Sequence, residues 1–212
     1  MTTTIAKDAA SLIIHRRRVE SVEVLMGKRH SRASFAPSMY VFPGGILEPV
    51  DRKISSMSPF NQETLGCCVN DLIHALALTA IRETFEETSL LLGQKGELAR
   101  VNHPTWERCR AMGMAPALHH LAYLGRAITP SSSPKRFHAR FFVAAFEYFS
   151  GSLIDEGELS DLRWVPLNKP LELPMFDVTE FMLEELQRFF KGPRDKTPLL
   201  SYRLNRTLIR YE

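Results

Sequence analysis

Leu72, Leu76 and Ala80 recur at helical spacing, and Glu83 and Glu87 continue the same stripe. At about 100° per residue the five positions fall in one sector of roughly 80°, so two carboxylates prolong an otherwise apolar helix face. Glu86 joins them, because Glu83, Glu86 and Glu87 stand at i, i+3 and i+4 and a helix gathers all three within one turn. A solvated acidic face is the ordinary reading of paired glutamates; here the phase places them at the edge of a buried face. Like charges at that spacing raise each other's pKa unless a hard, oxygen-preferring cation neutralises them, which points to a Mg2+ or Mn2+ site. Arg82 can pair with one carboxylate and fix its orientation, leaving other oxygens for metal.

Upstream, Phe42-Pro43-Gly44-Gly45 is a turn in which paired glycines let backbone approach a ligand or ion closely. Gly45, then five residues, then Asp51, then Arg82-Glu83-Thr84-Phe85-Glu86-Glu87-Thr88-Ser89-Leu90 resembles the signature of the Nudix hydrolase superfamily. Asp51 stands where that signature has Glu, Thr84 where it has an aliphatic residue, and Ser89 where it has the glycine that closes the helix. Gly45 and Arg82 are 37 positions apart where the signature has 14, an insertion of 23 residues of which 52–69, with Ser55-Ser56, Ser58-Pro59 and Gly66, is the main part.

The run from Phe35 to Asp51, the lengthened box and Arg136-Phe137-His138-Ala139-Arg140-Phe141-Phe142-Val143-Ala144 are similar to the acyl-coenzyme A diphosphatase branch, and the resemblance covers about residues 10–190. It implies a pyrophosphohydrolase with Glu83 and Glu87 as principal metal ligands and Glu86 as a third or water-mediated one. It also implies the Gly45 carbonyl in the metal shell and Arg82 as an orienting group. The acidic loop Asp155-Glu156-Gly157-Glu158 lies where many members place a further acid. Glu158 is the general base chosen here over Glu156, because it borders a strand that fixes its position. Its competing reading is a solvated turn. Lys28, Arg29, Lys135, Arg136 and Arg140 are candidates for meeting substrate phosphates, and each also reads as a surface charge. The branch implies coenzyme A or acyl-CoA cleaved to 3′,5′-ADP and (acyl-)4′-phosphopantetheine. ADP-ribose, NADH, a dinucleoside polyphosphate and a capped RNA end are alternatives of the same chemistry, and a non-catalytic nucleotide sensor is an alternative of another class.

A chain of 212 residues, 44% apolar, suits one elaborated domain spanning 1–212. With 27 basic and 24 acidic residues the net charge of +3 calls for no nucleic-acid partner; the expected partner is a small nucleotide, with room for a homodimer. Cys67, Cys68 and Cys109 give no even disulfide framework and no zinc spacing, which fits a reducing cytoplasm. The N-terminus lacks secretory-signal organisation, and no stretch approaches the length of apolar chain that spans a membrane.

Along the chain, Ser11–Ile14 and Val22–Lys28 read as a strand pair with Arg16-Arg17-Arg18 as solvated charge at the hairpin end. Val41–Phe42 reads as a short strand delivering the glycines. The carboxylate helix is expected over 71–92, capped by Asn70 or Asp71, and a short helix over Pro104–Met112. Strands are expected at Leu121–Ile128, Phe137–Phe149 and Leu159–Val165, and a last helix over Asp177–Lys191, capped by Asp177 and stopped by Gly192-Pro193. Strands mixed with two long helices predict an α/β fold, an α/β/α sandwich around a mixed β-sheet, which is also what the Nudix resemblance implies.

Overall fold

A computed structural model describes residues 4–32, 37–54, 70–154, 157–168, 173–203 and 206–212. Most of the 52–69 insertion, with Cys67 and Cys68, lies outside the described residues, as do Phe35, Ala36, Asp155 and Glu156.

The backbone of the fold is one mixed sheet. In chain order it contains β1 (Lys7–Arg17), β2 (Val22–Arg29), β3 (Tyr40–Val41), β4 (Gly44–Ile46), β7 (Ala122–Ile128), β8 (Phe137–Ala145), β10 (Leu159–Pro166), β11 (Pro198–Arg203) and β12 (Arg206–Tyr211). Its main path runs β10-β2-β1-β8-β7-β11-β12, with β3 added to β2 and β4 to β1. A small sheet joins β5 (Leu91–Lys95), β6 (Met114–Pro116) and β9 (Phe149–Ser150). β1 is central because it is apolar on both faces, with Leu12, Ile13 and Ile14 wholly buried. It runs parallel to β8 from Lys7↔Phe137 to His15↔Ala145 and antiparallel to β2 and β4.

Helix α1 (Asp71–Thr88) covers one face of the sheet, with α2 (Pro104–Ala111) beside it, and α3 (Asp177–Phe189) serves the other. The alternation along β1 separates the two cores: Ala10, Leu12 and Ile14 join Leu76, Ala80, Ile81 and Phe85 of α1, whereas Ile13 joins Phe181, Met182 and Leu186 of α3. The expected α/β/α sandwich with a mixed sheet is the observed fold. Arg16 pairs with Glu23 at 2.7 Å across the β1–β2 hairpin and lies over the Trp164 ring, so the triple arginine serves the hairpin end.

Several boundaries differ from the sequence expectation. α1 starts on Asn70, whose side chain accepts from the Ile73 amide at 2.9 Å, and ends at Thr88 rather than at 92. Ser89 takes the left-handed conformation (φ 61°) that ordinarily falls to glycine, and 91–95 become β5. The strand expected to reach Phe149 stops at Ala145, where a 3₁₀ turn at 146–148 redirects the chain into β9. Asp177 is the first helical residue of α3 and not its cap; Phe176 holds the cap position without a side-chain bond. The β11–β12 hairpin was not foreseen. It is tied to α3 by Glu185, fully buried, which accepts from Arg188, Arg194 and the Tyr211 hydroxyl.

Thr84 occupies an aliphatic position of the signature, is fully buried, and its hydroxyl has no partner among the described residues. An unsatisfied buried hydroxyl costs on the order of 1 kcal/mol. Thr84→Val should therefore raise the melting temperature by about 2–4 °C, as measured by differential scanning calorimetry; a lower melting temperature would show that the hydroxyl is satisfied in solution.

Candidate active site

The site forms where the C-terminal half of α1 passes over β4. Asp51, with no exposed surface, is its anchor. One carboxylate oxygen accepts from Arg82 Nε at 2.9 Å and Trp106 Nε1 at 3.3 Å. The other accepts from Arg82 Nη2 at 3.0 Å, the Thr79 hydroxyl at 2.9 Å and the Glu48 amide at 3.1 Å. The two-pronged contact fixes the guanidinium plane, and Arg82 Nη2 also reaches the Ile46 carbonyl of β4 at 3.1 Å. Nη1 is thereby aimed at the carboxylates: 2.9 Å to Glu83 and 3.2 Å to Glu86. Burial opposes the charge of Arg82, yet Asp51, Glu83 and Glu86 together hold its pKa above the ordinary arginine value.

The three glutamates differ in surroundings. Glu87 is buried and accepts from the Gly44 amide at 2.9 Å; burial drives its pKa well above the usual carboxylate range, the Gly44 bond opposes that, and Glu83 adds to it. Burial pushes Glu83 up to about 7, with Arg82 opposing and Glu86 contributing. Glu86 is the outermost and accepts from the Thr105 hydroxyl at the start of α2.

Gly44 and Gly45 are required by space. A Cβ on Gly44 would sit 2.4 Å from the Ala10 carbonyl oxygen, and one on Gly45 only 2.3 Å from Glu83 Oε1. The cradle suits a divalent cation in its chemistry: buried carboxylates with raised pKa values beside a backbone segment that has no side chain. Glu83, Glu86, Glu87 and the Gly45 carbonyl are the groups that could hold Mg2+ or Mn2+. Each carboxylate is turned to a protein donor, and among the described residues no three His, Cys, Asp or Glu side chains already converge in a ligating arrangement.

Glu158 lies at the entry to β10 and forms an ion pair with Arg29 at the end of β2. The loop before it crosses the end of α1: a Cβ on Gly157 would be 3.0 Å from the Glu87 carbonyl oxygen. The charges of Glu158 and Arg29 are both felt at the Glu87 carboxyl, so these two candidates border the cluster. Arg140 pairs with Asp8 and is 6% exposed, on the strand beside Ala10. Arg136 donates to the Thr4 and Thr129 carbonyls, about 13 Å along β8 from Arg140 at strand rise. Lys28 precedes Arg29 on β2, and Lys135 lies just before β8. Sequence reasoning missed Thr79, Glu48, Thr105 and Trp106, since Trp106 meets Asp51 across 55 positions with no fixed spacing to reveal it.

The fold is similar to that of a solved Nudix hydrolase structure. No family profile matches the chain. It is 24% identical over 170 residues to a curated Caenorhabditis elegans protein named "Putative nudix hydrolase 7", covering 75% of this chain and 51% of that protein, so it spans about half the length of the curated relative. A crystal structure of a Nudix hydrolase from Alicyclobacillus acidocaldarius is 28% identical with a TM-score of 0.67, over 86% of this chain and 91% of the other. The Nudix domain of Shewanella oneidensis NrtR, crystallised with ADP-ribose, shares the fold at 15% identity and a TM-score of 0.53, over 88% and 90% of the two chains. Curated and structural neighbours support the Nudix hydrolase superfamily for this chain.

The raised pKa of Glu83 has a stability consequence. Its folded-state pKa of about 7 exceeds the ordinary 4.5, so its contribution is present below pH 4.5 and is lost as pH rises through 7. In chelator, wild type should lose stability relative to Glu83→Gln between pH 4.5 and pH 8 in denaturant melts; the opposite slope would mean that Glu83 is charged throughout.

Proposed function

We propose that the chain is a Mg2+- or Mn2+-dependent pyrophosphohydrolase of a nucleoside diphosphate linked to another moiety, and that coenzyme A or an acyl-CoA is its substrate. The observation that carries the hydrolase reading is the buried Glu87 and half-buried Glu83 against Gly44-Gly45, with Glu83 aligned by Arg82 on Asp51. The retained carboxylates speak against a purely sensing role. The relatives support an enzyme of the Nudix type. The choice of coenzyme A rests on the resemblance of residues 35–51 and 136–144 to the acyl-CoA diphosphatase branch. Its products would be 3′,5′-ADP and (acyl-)4′-phosphopantetheine.

In this reading Glu83, Glu86, Glu87 and the Gly45 carbonyl hold the cation. When bound, a divalent ion supplies charge neutralisation at the pyrophosphate oxygens and makes a water more acidic. Arg82 keeps Glu83 and Glu86 oriented and offsets their repulsion. Glu158 accepts the proton of the attacking water from the wall of the cleft opposite α1, and Arg29 holds that carboxylate in place.

Glu83→Gln and Glu87→Gln should each lower kcat by orders of magnitude with the fold retained, as read by circular dichroism. Glu158→Gln should lower kcat by about 10²–10⁴-fold with little change in KM, and Glu156→Gln by less. Full activity in chelator, or in both helix variants, would refute the metal-dependent reading; the reverse order for the loop variants would move the base to Glu156.

Substrate choice is tested with a panel of coenzyme A, acetyl-CoA, ADP-ribose, NADH and a dinucleoside polyphosphate, with products identified by mass. Coenzyme A or a short acyl-CoA should show the highest kcat/KM and release 3′,5′-ADP. An equal kcat/KM for ADP-ribose would assign a different substrate within the same chemistry.

A further inference from the structure

The strand registers align one row of residues across the sheet. Ala10 of β1 pairs with Gly45 of β4 on one side and with Arg140 of β8 on the other. Arg140 pairs with Arg126 of β7, Arg126 with Leu199 of β11, and Leu199 with Arg210 of β12. Residues paired in this way share a sheet face. Gly45 looks at Glu83, so the whole row lies on the carboxylate side. The Arg126–Glu212 ion pair independently ties β7 to the end of the hairpin on that side.

At the usual inter-strand spacing, Arg140 is about 10 Å from Gly45, Arg126 about 14 Å and Arg210 about 24 Å. Ala10, 1% exposed in the core beneath α1, lies between the cradle and Arg140. Arg203 and Arg206, paired at the top of the hairpin, share this face, and with Leu208 and Arg210 they line a cavity of about 550 Å³. Five arginines thus face two paired carboxylates, Asp8 and Glu212.

The arginines are not spent on one another's neighbours. Arg203, Arg206 and Arg210 form no ion pair with any described residue. Arg140 gives Nη1 to Asp8 and to the His138 carbonyl, while its Nε is buried with no partner among the described residues. Arg126 approaches His138 Nε2 at 3.0 Å; burial, then Arg140 and Arg126, lower the His138 pKa to about 4, so a neutral imidazole orients Arg126 without adding charge. Arginines on an edge strand such as β12 deter pairing with another sheet. That role does not account for Arg126 and Arg140 on interior strands.

We infer that this face is a specificity surface for a second phosphate of the substrate, carried on the nucleoside away from the scissile pyrophosphate, with Arg126 and Arg210 grasping it and Arg140 beneath. The inference rests on the pyrophosphohydrolase reading for the position of the scissile bond. Glu212 holds the place on Arg126 that the phosphate takes. A phosphomonoester on the ribose and the next phosphodiester of an oligonucleotide 5′ end supply the same chemistry.

Calorimetric titration of 3′,5′-ADP, AMP and a 5′-phosphorylated trinucleotide into the full chain in chelator tests this. Wild type should bind 3′,5′-ADP about tenfold more tightly than AMP, the scale of one added charge-assisted hydrogen bond. Arg210→Gln, at an exposed position, and Arg126→Gln/Arg210→Gln should each reduce that ratio, the double variant to about one. A trinucleotide that binds more tightly than 3′,5′-ADP, and loses this in the variants, places the second phosphate in a nucleic-acid backbone; weaker binding places it in a monoester. Equal wild-type affinities for 3′,5′-ADP and AMP, or an undiminished ratio in both variants, would overturn the inference. Binding is read without turnover, so an inactive protein that keeps the ratio would refute the hydrolase reading alone.

Discussion

Asp51 and Arg82 are both shut away from solvent, joined by two hydrogen bonds, and the rest of the site is arranged around that pair. A buried ion pair is stable only when its remaining oxygens and protons are satisfied. Here Thr79 of α1, Trp106 of α2 and the Glu48 amide complete Asp51, and the Ile46 carbonyl and two glutamates complete Arg82. The pair therefore pins α1, α2, β4 and the turn after it to one another. Removing one partner of such a pair costs about 3–5 kcal/mol, because the other charge stays buried. The same contact decides where Glu83 and Glu86 point, so stability and site geometry share one device.

The carboxylates sit under opposing pressures. Burial favours their neutral forms, most of all at Glu87, while Arg82 and the Gly44 amide favour the charged ones. Glu86, nearer to solvent, accepts from Arg82 and Thr105. The anchored arginine lies among the glutamates that continue the apolar stripe of this helix and offsets their mutual repulsion.

The mixed sheet works as a ruler. β1 is flanked by β4 and β8, so the glycine cradle and the arginine-bearing strands are set on one face at fixed intervals. α1 packs on Ala10, Leu12 and Ile14, and the arginines lie further along the same face on β8, β7 and β12. Glu158 enters from the other direction, on the loop that crosses the end of α1 before β10. Glu158 and the arginine row thus lie towards opposite edges of the same sheet.

Much of this was legible in the chain itself. Periodicity from Leu72 to Glu87 set the helix, its buried face and the carboxylate cluster, because a 3.6-residue repeat is a local property; Asn70, Pro104 and the glycine pair marked local boundaries in the same way. Local signals failed where tertiary contacts overrode them. Ser89 closes α1 in a left-handed turn without glycine, the aromatic run after Ala145 bends into a second sheet, and Asp177 enters the helix it was expected to cap. The roles of Asp51 and Trp106, the tie of Glu158 to Arg29 and the alignment of Arg126, Arg140 and Arg210 were decided only by tertiary structure. These contacts join residues tens to more than a hundred positions apart, and strand register, which no local pattern encodes, is what brings them together.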